Sequence, residues 1–271
     1  MTTASSTTTA ASAATPTRRI SVGSLPVRYV LLEAKRQLRN VRALVFTFAV
    51  PVIMMLIFGA AYGGHGAVDP ITKLPEAVVV TLQMAAYGAM MAALSQAFAI
   101  VNERAIGWNR QLRATPLSGT AFLVSKIIAS LVVAACSIIV VCVISVLALG
   151  TSMSVGHWLA AGFAIWAGVI PFSLIAILIG LYAKPSFAQP LFMVVFMGMA
   201  ILGGLWVPLS IMPSWMTTVA QALPSYWLNR MGQTGAGAAG ALGEPIMVLG
   251  LWAVVLCAVI VWRYRRDAAR Q

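Results

Sequence analysis

Six stretches of this chain are apolar enough to cross a lipid bilayer, and no other feature of the sequence constrains its fold so tightly. They are expected at about 43–62, 77–101, 120–149, 157–182, 188–206 and 245–262, close to the ~20 apolar residues that a spanning helix needs. In hydrocarbon a helix satisfies its own backbone hydrogen bonds, so apolar runs of this length are read as helices. The expected fold class is therefore an all-α integral membrane protein with six transmembrane helices. Composition agrees: 61% of the 271 residues are hydrophobic and only 9% are charged, where a soluble domain keeps roughly 25% charged.

The segments between the spans carry further expectations. Residues 1–24 open on "MTTASSTTTAASAATPT", a low-complexity stretch read as a disordered cytoplasmic tail. No apolar run follows its basic residues directly, so no cleaved signal peptide is expected. Residues 25–271 are read as one transmembrane domain. Within it, 25–42 has the pattern of an amphipathic helix lying in the membrane interface or, alternatively, of a solvated helix with its apolar stripe packed on the protein, on the cytoplasmic side in either case. Val27, Val30, Leu31, Ala34, Leu38 and Val41 share one face, and Arg28, Lys35, Arg39 and Arg42 share another. Between spans five and six, Pro208, Pro213 and Pro224 forbid one straight helix. A short helix from Ser214 to Leu223, inside a re-entrant or surface hairpin, is expected there, with "GQTGAGAAGALGEP" (232–245) as a flexible connection.

The net charge of +12 would point to nucleic acid in a soluble protein. Here its distribution points to membrane orientation, and no nucleic-acid partner is expected. Arg18, Arg19, Arg28, Lys35, Arg36, Arg39 and Arg42 precede span one, and Arg104, Arg110, Arg113 and Lys126 lie around the junction of spans two and three. Lys184 follows span four, and Arg263, Arg265, Arg266 and Arg270 follow span six. Only Lys73 and Arg230 fall on the opposite side. The positive-inside rule then places both termini in the cytoplasm of a multi-pass plasma-membrane protein. Lys126, about two turns into span three, is expected to snorkel to the interface. Cys136, Cys142 and Cys257 read as small apolar fillers, and His65 and His157 as solvated loop residues without catalytic or metal-ligating partners.

The junction after span two is richer than a connector needs. Asn102 is a candidate cap, Glu103 sits in a first turn, Arg110 and Arg113 in a last turn, and Pro116 follows. A helix over 103–114 is expected, about 18 Å long, with its charges offered to a soluble partner.

"ERAIGWNRQLRATPL" resembles the segment after the second span of type-2 ABC exporter permeases, through Glu103, Arg104, Gly107, Leu112 and Pro116. Ala105 and Trp108 depart from the commonest form of that pattern. "GGLWVPLSIMPSWMTTVAQALPSYWLNR" (203–230) resembles the same family's segment after span five. The resemblance implies that 103–114 is a coupling helix docked on a separate ABC ATPase subunit, with Glu103 and Arg104 at the hinge and Gly107, Arg110, Leu112, Arg113 and Pro116 completing the coupling segment. It implies a second permease copy or a sister permease, and a path along spans two and five for an amphipathic small molecule such as a drug, antibiotic or lipid. Multidrug efflux and antibiotic resistance are the associated roles. Candidate path residues are Gln83, Tyr87, Met91, Leu94, Phe192, Phe196 and Met199.

There is no G-x-x-x-x-G-K-[ST] phosphate loop. The chain is therefore expected to be no enzyme by itself and to bind no cofactor, with ATP and Mg carried by the partner. The competing reading, an ion-gradient-coupled secondary carrier, needs ionisable groups at the membrane midplane. The spans offer none beyond Lys126.

Overall fold

A computed structural model describes residues 27–62, 67–107, 119–206 and 212–268. The helices are α1 (Val27–Leu38), α2 (Val41–Tyr62), α3 (Glu76–Leu94), α4 (Gln96–Ala105), α5 (Gly119–Leu149), α6 (Val155–Gly168), α7 (Ile170–Tyr182), α8 (Pro185–Leu202), α9 (Ser214–Ala222), α10 (Pro224–Gly235) and α11 (Gly243–Ala268). Among the described residues the fold is all-helical, and six helices or helix pairs are long and apolar enough to cross a membrane. Spans one, three, five and six are α2, α5, α8 and α11. Span two is α3 with α4, and span four is α6 with α7.

The two composite spans break for different local reasons. In span two, Ser95 keeps right-handed helical angles, and its hydroxyl donates to the carbonyl oxygen of Ala92 at 2.8 Å. A Ser that bonds back to its own helix bends it slightly. In span four, Pro171 follows Val169 and Ile170; a proline inside a helical run lacks the N–H that would continue the ladder.

Span two is the axis of the chain. Of its membrane-length window 89% is buried, against 22% for each of spans one, five and six. It packs on spans one, three, four and five and on α10. Lipid tails are as apolar as side chains, so close approach and hydroxyl bonds must do what the hydrophobic effect does in water. A Cβ on Gly88 would overlap the Ser137 hydroxyl and lie 3.1 Å from Pro51, where spans one, two and three meet. Hydroxyl pairs add to this: Thr81 to Ser145 at 2.6 Å ties spans two and three, Ser130 to Ser173 at 2.8 Å ties spans three and four, and Ser145 to Thr151 at 2.8 Å fixes the end of span three.

Three expectations need correction. Span two does not end at residue 101 under an Asn102 cap. α4 runs unbroken through Ala105 and closes in a turn at Ile106 and Gly107, whose φ of +73° lies in the left-handed region that glycine tolerates best. Residues 232–235 are not part of a flexible connection but the last turn of α10, a second helix after the expected α9. Finally, the helix expected over 25–42 ends at Leu38 in α1, and Val41 and Arg42 open α2. Along α1, Val27, Leu31 and Leu38 are exposed while Glu33 and Ala34 are buried.

Candidate functional site

The buried face of α1 follows the i, i+3, i+4, i+7 stripe of Val30, Glu33, Ala34 and Gln37. That stripe packs on the start of span three and turns a carboxylate inward. The exposed apolar flank of α1 remains free to meet lipid.

Glu33 meets Lys126 there. The Lys126 side chain has no exposed surface, so it does not snorkel. Its Nζ donates to Glu33 Oε1 at 2.7 Å and to Glu103 Oε1 at 2.7 Å. Arg36, one turn beyond Glu33, donates to Glu33 Oε1 at 3.0 Å and also to Glu103 Oε1. Among the described residues, two cations and two carboxylates from three elements thus form one charge-balanced cluster. Burial acts to lower the Arg36 pKa, but its hydrogen bond to Glu103 and the charges of both carboxylates outweigh it and hold the guanidinium above its ordinary value. Arg36 is half exposed, so it seals the cluster from the solvent side.

The position explains why such a cluster forms. Lys126 lies near the start of α5 and Glu103 near the end of α4, on either side of the segment 108–118. Taking an ammonium out of water costs several kcal/mol, offset only when close carboxylates and hydrogen bonds replace the lost hydration. Here two carboxylates do so. Glu103 Oε2 is buried with no hydrogen-bond partner among the described residues, so this carboxylate is held through one oxygen alone.

Arg104, beside Glu103 in sequence, points elsewhere. Its Nη1 donates to the carbonyl oxygen of Gly180 at 2.8 Å and to that of Ala183 at 3.4 Å, at the C-terminal end of α7. A cation there satisfies the orphan carbonyls and complements the negative end of the helix dipole. The last turn of span two is therefore bolted to α1 and span three through Glu103, and to span four through Arg104. Gly107 ends that turn, and Arg110, Leu112, Arg113 and Pro116 lie outside the described residues.

The candidate path residues are placed unevenly. Gln83, Tyr87, Leu94, Phe192 and Phe196 are buried within the one chain, and Met91 and Met199 are half-buried. Spans two and five are joined by an aromatic seam. Phe98 and Phe192 lie 4.7 Å apart, Phe192 and Phe196 stack at 5.4 Å, and Tyr87 meets Phe196 at 5.1 Å and Trp206 at 5.7 Å between ring centroids. These are ordinary aromatic contact distances, and the seam is closed.

Sequence reasoning missed Glu33, Arg36 and the pairing of Lys126. It also missed the polar stripe of α10, where Ser225, Asn229 and Gln233 are all buried at i, i+4, i+8. The Gln233 amide donates to Asn229 Oδ1 at 3.3 Å and that of Asn229 to the Gly204 carbonyl at 3.5 Å. The available signal was positional: an acidic residue on the buried side of α1, and a lysine two turns into a span.

A family model for the ABC-2 type transporter matches residues 30–234 of the chain. The chain is also similar to the Bacillus subtilis (strain 168) protein described as "Putative transport permease YvfS", with 28% identity over 197 residues. The match covers 72% of this chain and 79% of that protein.

Proposed function

The chain belongs to the ABC-2 type transporter family, as a permease subunit that performs no catalysis itself, and from that premise we propose that it exports an amphipathic small molecule. The energy comes from a separate ATPase subunit, which binds and hydrolyses ATP with Mg and docks on the segment after Gly107. Both termini face the cytoplasm on this reading, and the permease works with a second copy or a sister permease. Drug, antibiotic or lipid is the substrate class.

One observation carries the coupling part of the proposal. The segment 108–118 is strung between two helix ends that are ion-paired to each other and to α1. A push on that segment meets a rigid corner rather than a loose loop, so displacement passes to spans two and three together, and through Arg104 to span four. Interfaces of this kind move as rigid bodies between discrete arrangements. The aromatic seam between spans two and five supports the location of the path. Parting it would uncover Tyr87, Phe192 and Phe196, with Gln83, Met91, Leu94 and Met199 beside them on the same two spans. Methionine and aromatic surfaces adapt to varied apolar ligands.

An ion-coupled carrier is less well supported, because the charged cluster is internally neutralised and lies at span ends rather than at the midplane.

The test is biochemical. The purified chain alone should show no ATP hydrolysis, and an ATPase subunit should co-purify with it and lose its hold when residues 108–114 are replaced by a Gly/Ser linker. Uptake driven by an ion gradient in ATP-free vesicles would contradict the proposal.

A further inference from the structure

A second cationic cluster, separate from the Lys126 site, gathers where spans two, four, five and six end. Arg104 reaches from span two to the carbonyls of Gly180 and Ala183. From span six, the Arg263 guanidinium lies over the Tyr182 ring, 5.2 Å from its centroid. Lys184 is exposed and stands immediately before Pro185, the first residue of span five. All three therefore converge on the end of α7 and the short turn 183–184 that follows it. Arg266 lies one turn past Trp262 and 5.4 Å from its ring.

Counted along the sequence, the charge balance of these segments is positive. Glu33 on α1 and Glu103 at the end of span two are already engaged by Lys126 and Arg36. The chain after span six sets Arg263, Arg265 and Arg266 against the single Asp267. The Gly180 and Ala183 carbonyls at the end of α7, which would repel an anion, already accept from Arg104.

Two large aromatics flank the cations at the same level. Tyr182 is 43% exposed and Trp262 59% exposed, each within a residue of the end of its candidate span. Tyr and Trp in such positions sit at headgroup depth, and basic pockets between spans bind anionic headgroups. A soluble anion would use the cations alone and gain nothing from these rings.

We propose that the cluster around Lys184 and Arg263 binds an anionic glycerophospholipid, its phosphate between those two cations and its glycerol and upper chains against Tyr182 and Trp262. The bound lipid clips together the ends of spans two, four, five and six. It is independent of whether an ATPase docks on residues 108–118.

The test uses the full chain purified in mild detergent and titrated separately with phosphatidylglycerol, phosphatidylcholine and inorganic phosphate, bound molecules being counted by native mass spectrometry. Phosphatidylglycerol should bind tightly, and the other two weakly or not at all. The double variant K184Q/R263Q should weaken phosphatidylglycerol about 30-fold, taking ~1 kcal/mol for each cation near a membrane surface. K35Q/R39Q removes the same charge from exposed positions at and just beyond the end of α1 and should leave the affinity within about twofold. Should R263Q disturb the fold through Tyr182, Lys184→Gln alone predicts about a fivefold loss. Equal binding of phosphatidylcholine, binding of phosphate without lipid, or equal losses in the two double variants would each overturn the site.

Discussion

A lysine inside an apolar helix looks like an isolated cost when only its own helix is considered. Lys126 is eight residues into α5, and the sequence pattern predicts that it escapes to the interface. Its partners lie 93 and 23 residues away in the chain, beyond any helical periodicity. Hydropathy was enough to find the span; the ion pairs exist only once α1 and the end of span two are folded against it. The same reasoning sets the first prediction. Lys126→Met leaves two carboxylates buried with only the half-exposed Arg36 between them. Losing one member of a buried ionic cluster costs about 3–5 kcal/mol, so thermal unfolding in detergent should show a large drop. Replacing all three buried members, as in E33Q/E103Q/K126M, should recover most of that stability, since uncharged groups need no counter-ion. If K126M unfolds at the wild-type temperature, the lysine is not held as described.

At the level of elements, legibility follows the kind of force that makes each helix. The six spans declare themselves through hydrophobic length. α10 does not, because "PSYWLNRMGQTG" mixes proline, glycines and amides that elsewhere mark a loop. Its helix is made by packing. A Cβ on Gly235 would lie 2.9 Å from the Cα of Ala161 and 3.0 Å from the Ala160 carbonyl oxygen, so α10 and α6 touch backbone to backbone. Backbone cannot yield as a side-chain tip can. Gly235→Val should therefore cost about 1–3 kcal/mol through overpacking and increase proteolysis between spans five and six. Gly250→Ala, in span six with open space around it, should be neutral or gain up to about 1 kcal/mol from helix propensity. Equal outcomes for the two would remove the close contact from the account. The corner after span two was half legible. The residue types Glu103, Arg104 and Gly107 stood out, but their placement in the last turn of span two, rather than the first turn of a new helix, depends on Glu103 and Arg104 finding partners in other elements.

For the molecule as a whole, the arrangement concentrates rigidity at one end of the bundle. Span two is enclosed by the other helices, and its last turn is fixed to α1, span three and span four by the contacts of Glu103 and Arg104. The lightly buried spans one, five and six leave most of their residues outside the chain's own core. A permease built this way can receive force at one corner and answer with a shift of the enclosed span, which would part the aromatic seam with span five. That claim differs from a claim about stability, and the neutral triple variant separates the two. The decisive measurement is substrate transported per ATP hydrolysed by the reconstituted complex carrying E33Q/E103Q/K126M. The account predicts that the ATPase subunit still co-purifies and hydrolyses ATP while transport per ATP falls at least about tenfold. Transport per ATP equal to that of the unaltered complex would contradict it.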